Sequence, residues 1–539
     1  MESAARIIAA ICASLIFLSW FRHLTAASKR PPLPPGPKKL PFIGNLLDLP
    51  RCAPWVTFAK WAEQFDSDII HYEVAGSHYI VLNSYEAATD LLDKKSLIYS
   101  SRPHATMLED LVGWKGDMVL MSYGNHLKAH RRLLHQEFHP FNSSLHRPHE
   151  KKNLRVFMNR MLDKPSQWEE HIRHLLGSTI LAIAYGLNAQ AHDDPDITAA
   201  QNMTDVFTAT LVPGAFLVDI FPFLKYVPSW FPGASFQQQA KAWNGIREAS
   251  IAPPFMRVKS AMLQGTSTED SFSLRCLQNA INPDPRPDHL SEEEQIIKET
   301  AGTMFEGGAD TALTALSTFI LAMLCFPGTQ TTAQEELDRV VGDQDLPDYE
   351  DQDSLPYITA IMYECFRWQT VTPLVVPHRV ETEDTYKGYY IPANTTVLPN
   401  VWAILRDPKT YGPDAHLFNP NRWLLKNDSG EGSQWKLNTT MRSPLGLSFG
   451  FSRRVCPGKH MAISLFYITV ASLLHCFNIT PAIDKNGKEI TPTVEYVATL
   501  QNRPAPFTCS IKHRSAKHKA MIKEMITGDS EPEQMSNKS

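Results

Sequence analysis

Apolar and polar positions along the chain sort into long stretches of helical period and a few short alternating ones. Ile7 to Phe21 is an uninterrupted run of apolar or small residues, closed by Arg22, His23, Lys29 and Arg30. It is shorter than the roughly 20 residues that span a bilayer comfortably. Basic residues after the run favour a cytosolic C-terminal side. Residues 1–30 are therefore expected to be an uncleaved single-pass membrane anchor. A cleaved signal peptide ending near Thr25-Ala26-Ala27-Ser28 is the rival. Pro31-Pro32-Leu33-Pro34-Pro35-Gly36-Pro37 opens a stiff hinge over residues 31–49. From about residue 50 to 512 the pattern is helix-rich and reads as one body. His71 to Leu82 alternates like a hairpin. Ser291-Glu292-Glu293-Glu294 is a strong helix start, and the helix it opens is expected to reach Phe326, where Pro327-Gly328 ends it. A second helix covers about Tyr357 to Trp368, with strands near Val375–Val380 and Tyr389–Val397, and an apolar helix follows from Met461 to Leu474. Residues 513–539 are polar and mixed in charge, which predicts disorder. The fold class is mainly α with small β-sheets, in a single large domain.

Composition narrows the function. Hydrophobic content of 43% and charge of 20% allow a large core. A formal charge of −5 and the lack of a long basic block argue against nucleic acid as a partner. Eight cysteines fall without paired spacing, so neither a disulfide framework nor a zinc cluster is expected.

One cysteine stands apart. Cys456 lies in Phe449-Gly450-Phe451-Ser452-Arg453-Arg454-Val455-Cys456-Pro457-Gly458. Arg454, two residues before the sulfur, is expected to favour thiolate. A thiolate in such a loop can be the axial ligand of a haem iron. The run resembles the haem-binding loop of the cytochrome P450 superfamily, with Ser452 where glycine is usual. Glu364-x-x-Arg367 sets acid and base on neighbouring turns of a helix and resembles that family's Glu-x-x-Arg element. Phe418-Asn419-Pro420-Asn421-Arg422-Trp423 resembles its companion. The resemblance implies a buried structural charge network of Glu364, Arg367 and Arg422 behind the loop. Gly307-Gly308-Ala309-Asp310-Thr311 falls within the long helix, where each glycine costs about 1 kcal/mol relative to alanine. Thr311 can bond back to the Gly307 carbonyl. The run resembles the family's oxygen-activation motif, which implies that Asp310 and Thr311 are catalytic, supplying protons for O–O cleavage. Room for the cofactor and dioxygen is expected at Gly307 and Gly308.

By the same resemblance the cofactor is heme b. Cys456 would bind its iron, Arg454, His378 and Arg131 are candidate partners for its propionates, and Phe449 would pack beside it. The Arg131 helix has Leu127 where the family carries tryptophan, so His126 or His130 would replace the lost propionate contact. Lys128, Arg131, Arg132, Arg453 and Lys459 would form a basic face for an acidic electron donor. The resemblance implies NADPH-cytochrome P450 reductase as that donor, with cytochrome b5 as a second. No dinucleotide-binding glycine fingerprint occurs, so no reductase is expected within the chain. The aromatic stretch Leu211–Trp243 reads either as a core-facing loop or as a lip in the membrane interface, which resembles the family's region between the F and G helices. Together with the anchor and proline hinge, the resemblance implies a microsomal monooxygenase on the endoplasmic reticulum membrane, facing the cytosol. It would insert one atom of O2 into a lipophilic substrate by hydroxylation or aromatic oxidation. The run Phe221-Pro222-x-Leu224-Lys225-Tyr226 resembles the fungal secondary-metabolism branch, and xenobiotic oxidation is the other role. Two rivals remain: a haem-thiolate isomerase or dehydratase without O2 activation, and a serine hydrolase using Gly446-x-Ser448-x-Gly450.

Overall fold

The computed structural model describes residues 30–528, apart from 51, 213, 267–268, 344 and 428–434. The expected anchor over residues 1–30, apart from Arg30, lies outside the described residues, as does the end of the tail beyond 528.

Nine helices carry the argument: α1 (Asn125–Glu137), α2 (Ser143–Asp163), α3 (Trp168–Tyr185), α4 (Pro195–Thr210), α5 (Ile246–Leu263), α6 (Glu292–Cys325), α7 (Pro356–Trp368), α8 (Lys459–Cys476) and α9 (Ala516–Gly528). The 34-residue α6 is the spine. Its start is a capping box: Glu294 N–H donates to Ser291 Oγ at 3.3 Å, and Ser291 N–H donates to the Glu294 carboxylate at 2.7 Å. It packs most extensively on α3 and touches α1, α4, α5, α7 and α8. Among the described residues α6 alone is long and apolar enough to cross a membrane, but 72% of its apolar window is buried inside the protein. It is a core helix, as all-round apolar helices of large proteins are.

A four-stranded sheet flanks the helices: β1 (Ile69–Val74), β2 (Ser77–Leu82), β3 (His378–Arg379) and β4 (Thr396–Pro399), in spatial order β1-β2-β4-β3. The β1–β2 hairpin turns through Ala75 and Gly76, both at positive φ (49° and 86°), which matches the right-handed strand twist. The proline hinge is not a free spacer. Its Pro35 carbonyl accepts from His71 N–H at 2.9 Å and its Pro32 carbonyl from Tyr390 N–H at 2.8 Å, so the main chain docks on the body.

The expected disorder of residues 513–539 is corrected over its first half. Cys509–His513 pairs with Phe477–Pro481, and α9 follows, burying Met521 and Ile522 in the main core. Apolar side chains at these two positions outweigh the polar average that pointed to disorder. The Leu211–Trp243 stretch divides between its two readings. Val218 is buried with Met107, Trp114 and Phe207, whereas Phe223, Tyr226, Trp230 and Phe231 are 66%, 79%, 78% and 53% exposed.

Ile522→Ala is expected to cost about 2–4 kcal/mol in equilibrium denaturation. A tail without packing would register no change.

Candidate functional site

Cys456 begins the turn that leads into α8. Its N–H donates to the Phe449 carbonyl at 2.7 Å, closing the loop on itself. The residue retains exposed surface although protein atoms crowd around it. Burial pushes the thiol up, while a Gly458 backbone N–H and the charges of Arg131 and Lys459 act the other way. The cation expected to act on the sulfur, Arg454, is turned elsewhere. It donates to the carbonyls of Ser100 (2.6 Å), Met118 (3.3 Å) and Met121.

The loop's departure from the family pattern has a backbone consequence. Ser452 sits at φ 38°, a left-handed conformation that a glycine adopts without penalty. Its N–H is held by the Asp93 carboxylate. Phe449 lies beside Phe366 of α7, with ring centroids 5.4 Å apart.

Behind the loop, Glu364 is wholly buried and accepts from five donors. They are Arg367 Nε and an Arg367 terminal nitrogen (2.8 Å each), Asn419 N–H (2.8 Å), Arg422 Nε (3.1 Å) and Trp423 Nε1 (2.9 Å). Arg367 spends its remaining donors on the carbonyls of Leu405, Ala415 and Leu417, and Arg422 also pairs with Asp414 at 3.0 Å. Two acids and two bases balance. The network that was only a spacing in sequence is thus fully satisfied, which is the condition for a buried ion cluster to hold.

Arg102 and Arg454 are buried, and Arg131 is half-buried, without any such balance. Arg102, Arg131 and Arg454 pair with no carboxylate among the described residues. Arg102 donates to the Val119, Val376 and Pro377 carbonyls, and Arg131 to the Val455 carbonyl at 2.9 Å. Burial and the neighbouring Arg131 charge push Arg454 down to about 10, and burial with the Arg454 and Arg131 charges lowers Arg102. His378, on β3, gives Nδ1–H to the Tyr99 carbonyl at 2.8 Å, while its buried Nε2 has no partner. Unneutralised buried cations beside an orphaned imidazole nitrogen fit a ligand carrying carboxylates, and the cysteine loop among them fits an iron. The residues present therefore suit haem. Arg102 was missed in sequence because Ser101-Arg102-Pro103 carries no helical or motif spacing. Arg131 is not part of the basic surface, since it is drawn inward, whereas Lys128, Arg132 and Arg453 remain exposed.

On α6, the glycine assignment is corrected. A Cβ on Gly308 would lie 2.7 Å from Ile180 of α3, so its missing side chain permits helix packing. Gly307 is the open position, with nothing within 4 Å of a Cβ there, and its carbonyl accepts from Thr311 Oγ1 at 2.7 Å. Asp310 lies 3.7 Å from Arg173 Nε. Burial raises its carboxyl, and the Arg503 and Arg173 charges oppose this. The substitutes expected for the lost tryptophan contact are not both available. His130 is buried with Nδ1 against Thr300 of α6, and Leu127 is part of an apolar cluster.

Ser448 donates to the Phe366 carbonyl at 3.3 Å, in a loop without the strand–turn–helix that a nucleophile elbow needs. That removes the hydrolase reading. All seven described cysteines are free.

The profile of the cytochrome P450 family matches residues 34–507. The chain is 39% identical to the cytochrome P450 monooxygenase ple1 of Rhodocybe pseudopiperita, over 92% of each chain. It is 40% identical to cytochrome P450 monooxygenase 98 of Postia placenta, covering 93% of this chain and 94% of that one. It is also 38% identical to the tryptamine 4-monooxygenase of Psilocybe cyanescens, covering 90% and 94%. The chain belongs to the cytochrome P450 family. It is a haem-thiolate monooxygenase, and its class works with a redox partner, an organic substrate and dioxygen.

Glu364→Ala leaves the buried Arg367 guanidinium without a carboxylate, while Arg422 keeps Asp414, and is expected to cost about 3–5 kcal/mol in denaturant unfolding. Ser452→Gly releases the left-handed strain and is expected to stabilise by about 1 kcal/mol, read as a higher midpoint with an unchanged denaturant slope.

Proposed function

We propose that this enzyme inserts one oxygen atom from O2 into a lipophilic molecule of fungal secondary metabolism, by hydroxylation or aromatic oxidation. The observation that carries the reading is the set of uncompensated buried cations around the Cys456 loop. Heme b is the proposed cofactor; Cys456 would bind its iron, and Arg102, Arg131, Arg454 and His378 would hold its propionates. Phe449 would flank it from the loop side. When bound, it would supply dioxygen activation, and the transferred oxygen atom would come from O2.

The chain's own part is proton supply, orientation and water control. Thr311, held by its bond to the Gly307 carbonyl, presents a hydroxyl at the one gap in α6. Asp310 is the proposed proton carrier. Its neighbour Arg173 bonds Glu169 at 3.1 Å, Glu169 also pairs with Arg503, and these partly exposed groups reach toward solvent. An intact acid–alcohol pair favours oxygen insertion over the isomerase or dehydratase reading.

The substrate space is assigned to segments 103–122, 202–250, 372–377 and 496–502. Met107, Leu108, Trp114, Val206 and Phe207, drawn from the first two, are buried together. Among them stand Asp117 and Glu306, both buried, with Arg247 Nε 3.4 Å from Asp117. Burial and the Asp117 charge push the Glu306 carboxyl well up, which favours its neutral form. Such lining suits a largely apolar substrate with one hydrogen-bonding group.

NADPH-cytochrome P450 reductase, with cytochrome b5 as a second donor, would dock on Lys128, Arg132, Arg453 and Lys459. Tyr123 organises part of that face, accepting from Arg453 at 2.8 Å and stacking under Lys128 at 5.1 Å. We place the enzyme on the endoplasmic reticulum membrane as a single-pass protein facing the cytosol. Residues 1–30 would be the anchor, and the exposed Phe223, Tyr226, Trp230 and Phe231 a second membrane contact.

Cys456→Ala is expected to abolish the red-shifted Soret band of the reduced carbon-monoxide complex; a retained band would remove the sulfur from the iron. Thr311→Ala is expected to keep haem bound while product formed per NADPH consumed falls several-fold. Unchanged coupling would take Thr311 out of proton supply.

A further inference from the structure

His126 and His130 lie four residues apart on α1, hence on one face of it. Glu299 faces them from α6, and one donor atom from each of the three lies within 4.8 Å of the others. We propose that His126, His130 and Glu299 form a binding site for a divalent transition metal of the zinc type, tying α1 to α6.

The hydrogen bonds around the cluster are those of ligands already oriented. Thr300 Oγ1 donates its hydrogen to the Ile296 carbonyl at 2.6 Å, so toward His130 it can only accept. The His130 Nδ1···Thr300 Oγ1 contact of 2.8 Å therefore places the ring proton on Nδ1. Nε2 is left with its lone pair, wholly buried and without a hydrogen-bond partner. It points at Glu299 Oε2, 3.6 Å away. Two lone-pair donors facing each other at that distance lack a cation between them. Tetrahedral zinc with bonds of about 2.0–2.1 Å sets its ligand atoms about 3.3 Å apart, so a shift of a few tenths of an ångström closes the pair.

The carboxylate is oriented in the same way. Glu299 Oε1 accepts from Gln295 Nε2 at 2.8 Å, which leaves Oε2 for the ion. Gly116 keeps the space behind it open, since a Cβ there would come within 2.8 Å of Oε1. Outer partners of this kind fix tautomer and orientation in established metal centres. His126 is exposed, with its ring edge-on to His130 at 5.0 Å, and provides both the third ligand and the way in. Two imidazole nitrogens and one carboxylate oxygen suit zinc, nickel or copper rather than calcium or magnesium, which take oxygen. Three protein ligands leave a fourth position for water. Arg131 follows His130 directly, so an ion here would also stiffen the helix that carries a proposed propionate partner.

The test uses the haem-loaded enzyme without a polyhistidine tag, titrated with zinc ions by calorimetry, with zinc-edge X-ray absorption on the loaded sample. One ion per chain, bound through nitrogen and oxygen with no sulfur, and a rise of several degrees in melting temperature are expected. His126→Ala removes an exposed ligand and leaves the core intact; it should lose that ion and the melting shift. Exposed His135 and half-buried His139 repeat the same spacing and serve as the control, so His135→Ala should bind as the parent does. Undiminished binding in His126→Ala, binding lost in His135→Ala, or sulfur in the zinc shell would each overturn the site.

Discussion

One buried carboxylate holds the rear of this enzyme together. Glu364 has no water to solvate it, and a bare charge there would cost several kcal/mol. The fold answers with donors from α7 itself, from the Asn419 backbone, and from Arg422 and Trp423. Because these donors come from segments more than fifty residues apart, satisfying one charge fixes the relative position of all of them. The neighbouring Phe366 then passes that position on. Its ring packs against Phe449 and its carbonyl accepts from Ser448, both in the cysteine loop. Placement of the sulfur thus descends from an ion cluster that never touches it.

The front of the loop has the opposite electrostatics. Arg102 and Arg454, which are buried, and Arg131, which is half-buried, have only carbonyl oxygens for hydrogen-bond partners, and they repel one another. A fold tolerates this when a ligand pays the electrostatic debt, since binding to the native state alone stabilises it. The balanced cluster behind and the unbalanced one in front therefore divide the work. The first stabilises the chain as it stands, and the second prepares it for an anionic cofactor.

The long helix shows the same division at single-residue scale. Gly308 and Gly307 are adjacent and chemically identical, yet the first lets α3 approach and the second faces open space. Asp310 and Thr311 follow the same divergence. Thr311 turns back on the Gly307 carbonyl, whereas Asp310 reaches across to Arg173. A rotation of about 100° per residue is enough to give neighbours different tasks.

Features that depend on neighbours in the chain were legible before any coordinates. The capping box of α6, the Glu364–Arg367 pair, the back-bond of Thr311 and the cysteine loop all need certain residue types within one or two turns, and local spacing expresses that need. Other features depended on segments far apart in sequence. Arg102 meets Val376 and Pro377 across the fold, and Arg131 rather than Arg454 faces Cys456. Ile180 claims the space above Gly308, and Met521 and Ile522 find a core that a polar tail composition hid. The strain at Ser452 belongs here too, because the serine shows in sequence but its left-handed backbone is imposed by the surrounding loop. The sequence by itself determined the chemistry available; tertiary structure decided which groups meet, because burial and charge compensation act through space.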